Sequence, residues 1–128
     1  MRRACRHARR PGRPENHGGI TARAEQVVHL VQLVDRTWFG LNLDFGNFRE
    51  DPYREFELVA PYVVTAHAKS HWRGPSGEEP VDYPRAFQIV RNAGYRGYVN
   101  IDYEGRADPA VAVPEFAAEL QAALRRLD

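Results

Sequence analysis

The sequence has few of the residues and runs that mark an extracellular or membrane protein. Its 128 residues include a single cysteine, Cys5, which excludes a disulfide framework and is typical of a reducing compartment. No apolar run approaches the roughly 20 residues that are needed to span a bilayer. We therefore expect a cytoplasmic protein with no membrane partner.

Lysine is nearly absent, and the positive charge is concentrated at one end. Lys69 is the only lysine, and residues 1–14 hold six arginines and no acid. Since the whole chain carries a net charge of +1, residues 15–128 carry −5. Residues 1–14 could be a nucleic-acid-binding arm, a targeting peptide or a segment foreign to the fold. We interpret them as a disordered segment outside the fold and keep nucleic-acid binding as an alternative function.

From residue 15 onward, helical and strand patterns alternate. Apolar alternation and β-branched residues predict strands near residues 38–44, 62–66 and 98–103, with helices between them. Residues 70–81 read as a loop, and Pro114 reads as the start of the last helix. Strands that alternate with helices predict an α/β fold with a parallel sheet.

Chemically active side chains lie at the C-terminal ends of the predicted strands or, for Glu15, where a strand should end. These residues are Glu15, Asp44, His67, and Asp102 with Glu104. In a parallel barrel all strand ends of this kind meet at one rim, where active sites lie. Carboxylates that converge with an imidazole suit a divalent metal such as Mn²⁺, Mg²⁺, Co²⁺ or Zn²⁺.

Four short motifs carry a resemblance to a known family. They are residues 15–19 (Glu-Asn-His-Gly-Gly), 44–47 (Asp-Phe-Gly-Asn), 67–69 (His-Ala-Lys) and 95–102 (Tyr-Arg-Gly-Tyr-Val-Asn-Ile-Asp). In order and spacing they resemble the xylose-isomerase-like TIM-barrel superfamily, and within it the sugar phosphate isomerase/epimerase group. The resemblance covers roughly residues 15–124. It implies that residues 15–128 are the C-terminal half of a (β/α)8 barrel, from the end of strand five through helix eight, with three to four parallel strands.

The resemblance also implies a metal site. The family holds a divalent metal, often Mn²⁺, with Glu, Asp, His and Glu from the last four strands. The matching positions here are Glu15, Asp44, His67 and Asp102. Asp102 departs from the usual Glu, and Glu104, two residues further on, could take its place as the fourth ligand.

By the same resemblance, the chemistry is proton transfer on a sugar or sugar phosphate through a metal-stabilised enediolate. Glu15 and the acid at Asp102 or Glu104 would remove and return the proton. Lys69 would stabilise the developing negative charge on oxygen, with a solvated loop lysine as the alternative interpretation.

Residues near these motifs are expected to line a substrate pocket: His17, Asn47, His71, Trp72 and Arg73. Trp72 would stack on a sugar face, and Arg73 would meet a hydroxyl, carboxylate or phosphate. Family epimerases often have a histidine where this chain has Asn47, and some have an acid where it has Thr21. The substrate therefore cannot be copied from any one member.

A half barrel leaves sheet edges and an apolar face uncovered. In the sequence, Glu15 also has no apolar strand before it to fix its position. We therefore interpret the chain as a fragment whose activity on its own is in question. Self-association of half barrels would cover the open surfaces, and a non-catalytic fragment is an alternative to the enzyme.

Overall fold

The computed structural model of the chain describes residues 12–127, which form four α-helices and five β-strands. In chain order these are α1 (Ala24–Val34), β1 (Leu41–Asp44), α2 (Pro52–Val59), β2 (Val63–Ala68), β3 (His71–Gly74), β4 (Gly77–Pro80), α3 (Tyr83–Asn92), β5 (Val99–Ile101) and α4 (Pro109–Arg125). Short 3-10 turns at Gly19–Thr21 and Ala60–Tyr62 precede α1 and β2.

Three strands form a parallel sheet in the order β1, β2, β5. Two isolated parallel bridges continue this sheet beyond β1, since Gly12 pairs with Phe39 and Glu15 pairs with Asn42. The predicted α/β fold with three to four parallel strands is confirmed.

Residues 12–14 take part in this sheet, although the fold was predicted to start at residue 15. The Gly40 N–H donates to the Gly12 carbonyl at 3.1 Å, and the Asn42 N–H donates to the Pro14 carbonyl at 2.9 Å. Pro14 fits here because the pairing uses only its carbonyl. Glu15 therefore follows a paired segment. Residues 1–11 lie outside the described residues, so the expectation of a disordered segment and the nucleic-acid-binding alternative stay predictions.

The register of the sheet brings the strand ends to one edge. Asp44 at the end of β1 pairs with His67 in β2, and His67 in turn pairs with Asn100 in β5. β5 ends at Ile101. The next residue is Asp102, and the Asp102 N–H still donates to the Ala68 carbonyl at 2.9 Å. The predicted site residues therefore share the C-terminal edge.

The four described helices pack in chain order, each against the next. The carboxylates of Asp51 and Asp82 cap α2 and α3 by accepting hydrogen bonds from Arg54 N–H at 3.2 Å and Arg85 N–H at 3.1 Å. Among residues 12–127, no helix combines the length and the apolar character that a bilayer crossing requires.

The last helix begins five residues earlier than predicted, at Pro109 rather than Pro114. The Asp108 carboxylate accepts a hydrogen bond from the Ala110 N–H at 2.9 Å and so caps the helix. Proline is favoured in the first turn of a helix, and both prolines fit that pattern in the sequence. The capping aspartate decides between them.

Residues 70–81 form an antiparallel hairpin of β3 and β4 instead of the predicted loop. Its turn contains Gly77 at φ 117°, a conformation that favours glycine. Across the two strands, Arg73 Nη2 lies 3.2 Å from Glu78 Oε1. The strands were not predicted because these residues are rich in glycine and proline. The hairpin is also short and mostly exposed, so it lacks the apolar alternation that marks a strand.

Aromatic side chains fill the core between the sheet and the helices. The Phe45 ring makes edge contacts with Phe56, Tyr83 and Phe87 at centroid distances of 5.1, 5.8 and 5.9 Å. Phe56 also contacts the Tyr53 ring at 5.6 Å. Since Phe45 directly follows Asp44, this cluster fixes the end of β1.

Replacing Phe56 with alanine should test this core. Phe56 is fully buried, so Phe56→Ala should lower the free energy of unfolding by about 3–5 kcal/mol. The matched control is Leu33→Ala, because Leu33 is 68% exposed on α1 and should change stability by no more than about 0.5 kcal/mol. Urea unfolding followed by circular dichroism measures both. Equal losses in the two variants would contradict this description of the core.

Candidate metal and substrate site

The side chain of Asn16 ties the segment before α1 to the end of β1. Its Oδ1 accepts a hydrogen bond from the Asp44 N–H at 2.8 Å, and its Nδ2 donates to the Asp44 carbonyl at 2.9 Å. Asn16 is 1% exposed, so these bonds satisfy backbone groups that water does not reach. They hold Glu15 beside Asp44. This role was not predicted, because an asparagine shortly before two glycines is typical of an ordinary turn.

Three of the four predicted metal ligands meet at this edge of the sheet. Glu15, Asp44 and His67 each present one ligand atom, and these atoms lie within 4.8 Å of one another. Glu15 Oε2 lies 3.5 Å from His67 Nδ1. Two carboxylates and an imidazole form a donor set that suits a divalent cation such as Mn²⁺ or Zn²⁺. We call these residues the Glu15–Asp44–His67 group.

Asp44 is the most buried member of this group. Its Oδ1 accepts a hydrogen bond from the Gly46 N–H at 2.7 Å. Its Oδ2 is buried without a hydrogen-bond partner among the described residues, although Lys69 Nζ lies 3.4 Å away. Burial raises the pKa of Asp44 to about 6; the Gly46 N–H and the Lys69 charge lower it, and the Glu15 charge adds to the rise. A cation would satisfy this oxygen, so the residues present fit a metal.

Asn42 links the members of the group but was not predicted as a site residue. Its Nδ2 donates to Glu15 Oε2 at 2.8 Å and lies 3.3 Å from His67 Nδ1. Its Oδ1 accepts a hydrogen bond from Thr65 Oγ1 at 2.8 Å. The sequence pattern showed Asn42 only as a polar member of an alternating strand, whereas all four residues of β1 are buried. A polar residue in a fully buried strand is the signal that could have found it.

Lys69 is 4% exposed and surrounded by acceptors. Its Nζ donates to Glu104 Oε1 at 2.9 Å and to Asn47 Oδ1 at 3.1 Å, and lies 3.6 Å from Asp102 Oδ2. Burial lowers the pKa of Lys69, but the hydrogen bond to Glu104 and the charges of Asp44, Glu104 and Asp102 outweigh burial and raise the pKa. Lys69 therefore stays protonated at neutral pH and acts as a hydrogen-bond donor.

Two neighbours hold the Lys69 backbone and stem in place. A Cβ atom at Gly46 would lie 2.8 Å from both Lys69 Cδ and the His71 carbonyl oxygen, so only glycine allows this close approach. The Tyr83 hydroxyl donates to the Lys69 carbonyl at 2.6 Å, and burial raises the pKa of Tyr83, which keeps the hydroxyl neutral.

The acids after β5 lie at Lys69 rather than in the Glu15–Asp44–His67 group. Asp102, the preferred fourth ligand, has a carboxylate that is 41% exposed and contacts Lys69 at 3.6 Å. Glu104, the alternative, is closer to Lys69 and forms the 2.9 Å hydrogen bond. The structure therefore brings all the predicted acids to one edge, but in two adjoining clusters.

Four of the five residues predicted to bind substrate line one cavity of about 230 Å³, which we call the inner cavity. They are His17, Asn47, His71 and Arg73, and the wall also includes Gly46, Lys69, Glu104 and Arg49. Arg49 was not predicted, because an exposed arginine in a loop carries no signal in a single sequence.

Trp72 does not reach this cavity, so the expectation that it stacks on a sugar was wrong for this structure. It is buried with the core residues, and its neighbours in β3, His71 and Arg73, line the cavity instead. Successive side chains of a strand point to opposite faces, which separates Trp72 from both neighbours. The prediction failed because residues 70–81 were taken as a loop, in which no such alternation holds.

The raised pKa of Asp44 predicts a pH-dependent stability in the metal-free protein. An aspartate pKa near 6 in the folded state, above the ordinary 3.8, means that the folded protein binds the proton more tightly. Asp44 therefore contributes stability at low pH that is lost as the pH rises from about 4 to about 6, up to about 3 kcal/mol.

Urea unfolding of the wild type and of Asp44→Asn, each across pH 4–7 in the presence of a chelator, measures this effect. Asparagine keeps the acceptor for the Gly46 N–H but cannot ionise. The difference between the two profiles should grow in favour of Asp44→Asn as the pH rises. A difference that stays flat would contradict the shifted pKa.

The chain is similar to L-ribulose-5-phosphate 3-epimerase UlaE of Escherichia coli and of Shigella boydii, with 29% identity over 98 residues in both. Each match covers 69% of this chain and 34% of the relative, so the chain spans about a third of the length of these curated relatives. Among solved structures, the xylose isomerase domain protein from Planctomyces limnophilus is similar with a TM-score of 0.58 and 21% identity. That match covers 85% of this chain and 43% of the solved chain, and it shows the fold.

A family model described as xylose isomerase-like TIM barrel matches residues 1–127. The match is longer than the predicted residues 15–124 and includes the Arg-rich segment. The parallel sheet with its flanking helices, together with the coverage of 43% of a solved relative, agrees with a half barrel. The chain belongs to the xylose isomerase-like TIM-barrel family.

Proposed function

We propose that this chain carries the metal and proton-transfer site of a sugar isomerase or epimerase. The observation that supports this most directly is the Glu15–Asp44–His67 group around the buried Oδ2 of Asp44, which has no hydrogen-bond partner in the described part of the chain. The metal we propose is Mn²⁺, with Mg²⁺, Co²⁺ and Zn²⁺ as alternatives, since mixed carboxylate and imidazole ligands suit these ions.

Asp102 is the better candidate for a fourth ligand. Glu104 accepts a 2.9 Å hydrogen bond from Lys69, whereas Asp102 contacts the same ammonium at 3.6 Å. Charge-assisted hydrogen bonds are strong at the shorter distance and weaken as they lengthen. Asp102 would therefore lose less by turning toward the Glu15–Asp44–His67 group.

The chemistry we propose is proton transfer next to a sugar carbonyl, with which both isomerisation and epimerisation begin. A bound divalent cation would supply Lewis acidity, which makes the neighbouring carbon-bound proton acidic. Glu15 and the acid at Asp102 or Glu104 would remove and return that proton. Lys69, which stays protonated, would donate a hydrogen bond to the oxygen that gains negative charge.

The substrate we propose is a small sugar or sugar phosphate. The relatives named L-ribulose-5-phosphate 3-epimerase favour this class. The inner cavity supports it, because most of its wall consists of side chains that can hydrogen-bond sugar hydroxyls: His17, Asn47, Arg49, Lys69, His71, Arg73 and Glu104. The cytoplasmic location expected from the sequence fits a sugar-metabolising enzyme and stays a prediction.

Metal binding by the purified chain tests this proposal. Glu15→Gln and His67→Gln should each weaken Mn²⁺ binding by at least about tenfold, because each removes a ligand while keeping a similar shape. The matched control is His29→Gln, an exposed histidine on α1 that should leave the affinity unchanged. Electron paramagnetic resonance of free Mn²⁺ during titration measures all four proteins.

A second readout follows the proton itself. With Mn²⁺ present, the chain should exchange carbon-bound protons of ribulose 5-phosphate with deuterium from D₂O, as observed by nuclear magnetic resonance. Glu15→Gln should abolish this exchange. Mn²⁺ affinities that are equal in the wild type, Glu15→Gln and His67→Gln would rule out the proposed site.

We also propose that the half barrel self-associates through the edge at β5. In the described part of the chain, β5 pairs only with β2, so its other edge is unpaired. Tyr98, next to this edge, is 88% exposed, and Val64 on the neighbouring strand is also exposed. Open edges with apolar neighbours pair readily with another strand, and a second copy would supply one.

A charge at this edge should weaken self-association. Sedimentation velocity of the wild type should show a dimer whose fraction rises with protein concentration. Tyr98→Lys should shift it to the monomer, because a lysine on the edge would be buried in the contact. Leu33→Lys is the control, since Leu33 is an exposed apolar residue on α1. A wild type that stays monomeric at all concentrations would refute the proposal.

A further inference from the structure

Two adjoining cavities form one groove that begins at Lys69. The inner cavity is continued by an outer cavity of about 410 Å³, and the two share His17, Asn47 and Arg49. Asn47 marks the inner end, because its Oδ1 accepts a hydrogen bond from Lys69 and its Nδ2 donates to Glu15 Oε1 at 3.4 Å. A substrate that reacts at Lys69 and Glu15 would therefore extend past Asn47 toward Arg49.

Most charges along the inner cavity already have partners. Lys69 is hydrogen-bonded to Glu104 at 2.9 Å, and Arg73 Nη2 contacts Glu78 Oε1 at 3.2 Å. His71 Nε2 lies 3.9 Å from the same Glu78 carboxylate. These side chains can turn to a ligand only by leaving a partner.

The charges of the outer cavity are paired as well, with one exception. Arg23 Nη1 lies 3.5 Å from Glu50 Oε1, and the Glu55 carboxylate accepts a hydrogen bond from the Ala24 N–H at 2.9 Å. Within residues 12–127, Arg49 is exposed, and its guanidinium forms no ion pair or hydrogen bond. It is therefore the charged group on the shared wall that can bind a ligand without breaking an existing contact.

We propose that Arg49, together with His17, which lines the same two cavities, forms an anion subsite for the far end of the substrate. This inference rests on the proposed function for the reacting end and adds the substrate class, a sugar that carries a phosphate or carboxylate group. The guanidinium presents paired N–H donors whose spacing matches two oxygens of either anion. Arg49 would thus select charged sugars over neutral ones.

Inorganic phosphate is the probe that separates this subsite from the metal site. Isothermal calorimetry of the full 128-residue chain in a chelator should show phosphate binding that Arg49→Gln weakens by about tenfold or more. Arg49→Lys should fall between the two, because it keeps the charge but loses the paired donors. Arg125→Gln is the control, since Arg125 is an exposed arginine near the end of α4.

The second set of titrations compares sugars with Mn²⁺ present. Ribulose 5-phosphate and glucuronate are the anionic probes, and ribulose is the neutral one. The wild type should bind at least one anionic probe more tightly than ribulose, and Arg49→Gln should remove that difference. The probe whose affinity falls most in Arg49→Gln identifies the anion as phosphate or carboxylate.

Phosphate affinity that is equal in the wild type and Arg49→Gln would overturn the proposal, as would an equal loss in Arg125→Gln. The phosphate titration contains no metal. Its result therefore does not depend on whether Glu15→Gln and His67→Gln weaken Mn²⁺ binding. A failure of the metal site and a failure of the anion subsite therefore give different results.

Discussion

The two hydrogen bonds between the Asn16 side chain and the Asp44 backbone are the constraint on which the rest of the site depends. β1 is only four residues long, and residues 12–15 pair with residues 39–42 through two isolated bridges rather than as a full strand. The Asn16 side-chain amide donates to the Asp44 carbonyl and accepts from the Asp44 N–H, as the peptide group of a neighbouring strand would. It therefore pairs with the end of β1 in place of a backbone segment. Without it, the Asp44 N–H and carbonyl would be buried and unpaired, at a cost of about 1–3 kcal/mol each.

A second constraint is the balance of charge around Lys69. One buried ammonium faces Asp44, Asp102 and Glu104, while Asp44 also faces Glu15. Asp44 is thus shared between the Lys69 cluster and the Glu15–Asp44–His67 group, and only one of its two oxygens has a hydrogen bond. The proposed cation at the second oxygen would weaken the attraction between Asp44 and Lys69, whereas the hydrogen bonds from Lys69 to Glu104 and Asn47 do not involve Asp44. Asp44 is therefore the residue through which the proposed metal site and the proposed substrate cavity would be coupled.

The sequence predicted the parts of this site that follow from strand polarity. Asp44 and His67 come directly after apolar runs, and parallel strands bring such ends together, so their placement needed no tertiary information. Asn16 and Asn42 escaped prediction because their roles depend on which buried group each one faces across the sheet. Trp72 was misplaced because residues 70–81 read as a loop from their glycine and proline content, whereas the hairpin they form turns Trp72 to the buried face.

Glu15 is held more firmly than its sequence context indicates, and Asp102 less firmly. From the sequence, Glu15 lacked a strand, yet in the structure it is bridged to β1 and accepts hydrogen bonds from Asn42 and Asn47. Asp102 is the looser acid, because it follows a three-residue strand and, among residues 12–127, β5 has one unpaired edge and Asp102 forms its one ion pair at 3.6 Å. The proposed proton transfer would need both carboxylates held at fixed positions. A strand from a second copy at the β5 edge, as proposed, would restrain the backbone that carries Asp102 and would thereby also help to hold the proposed site together.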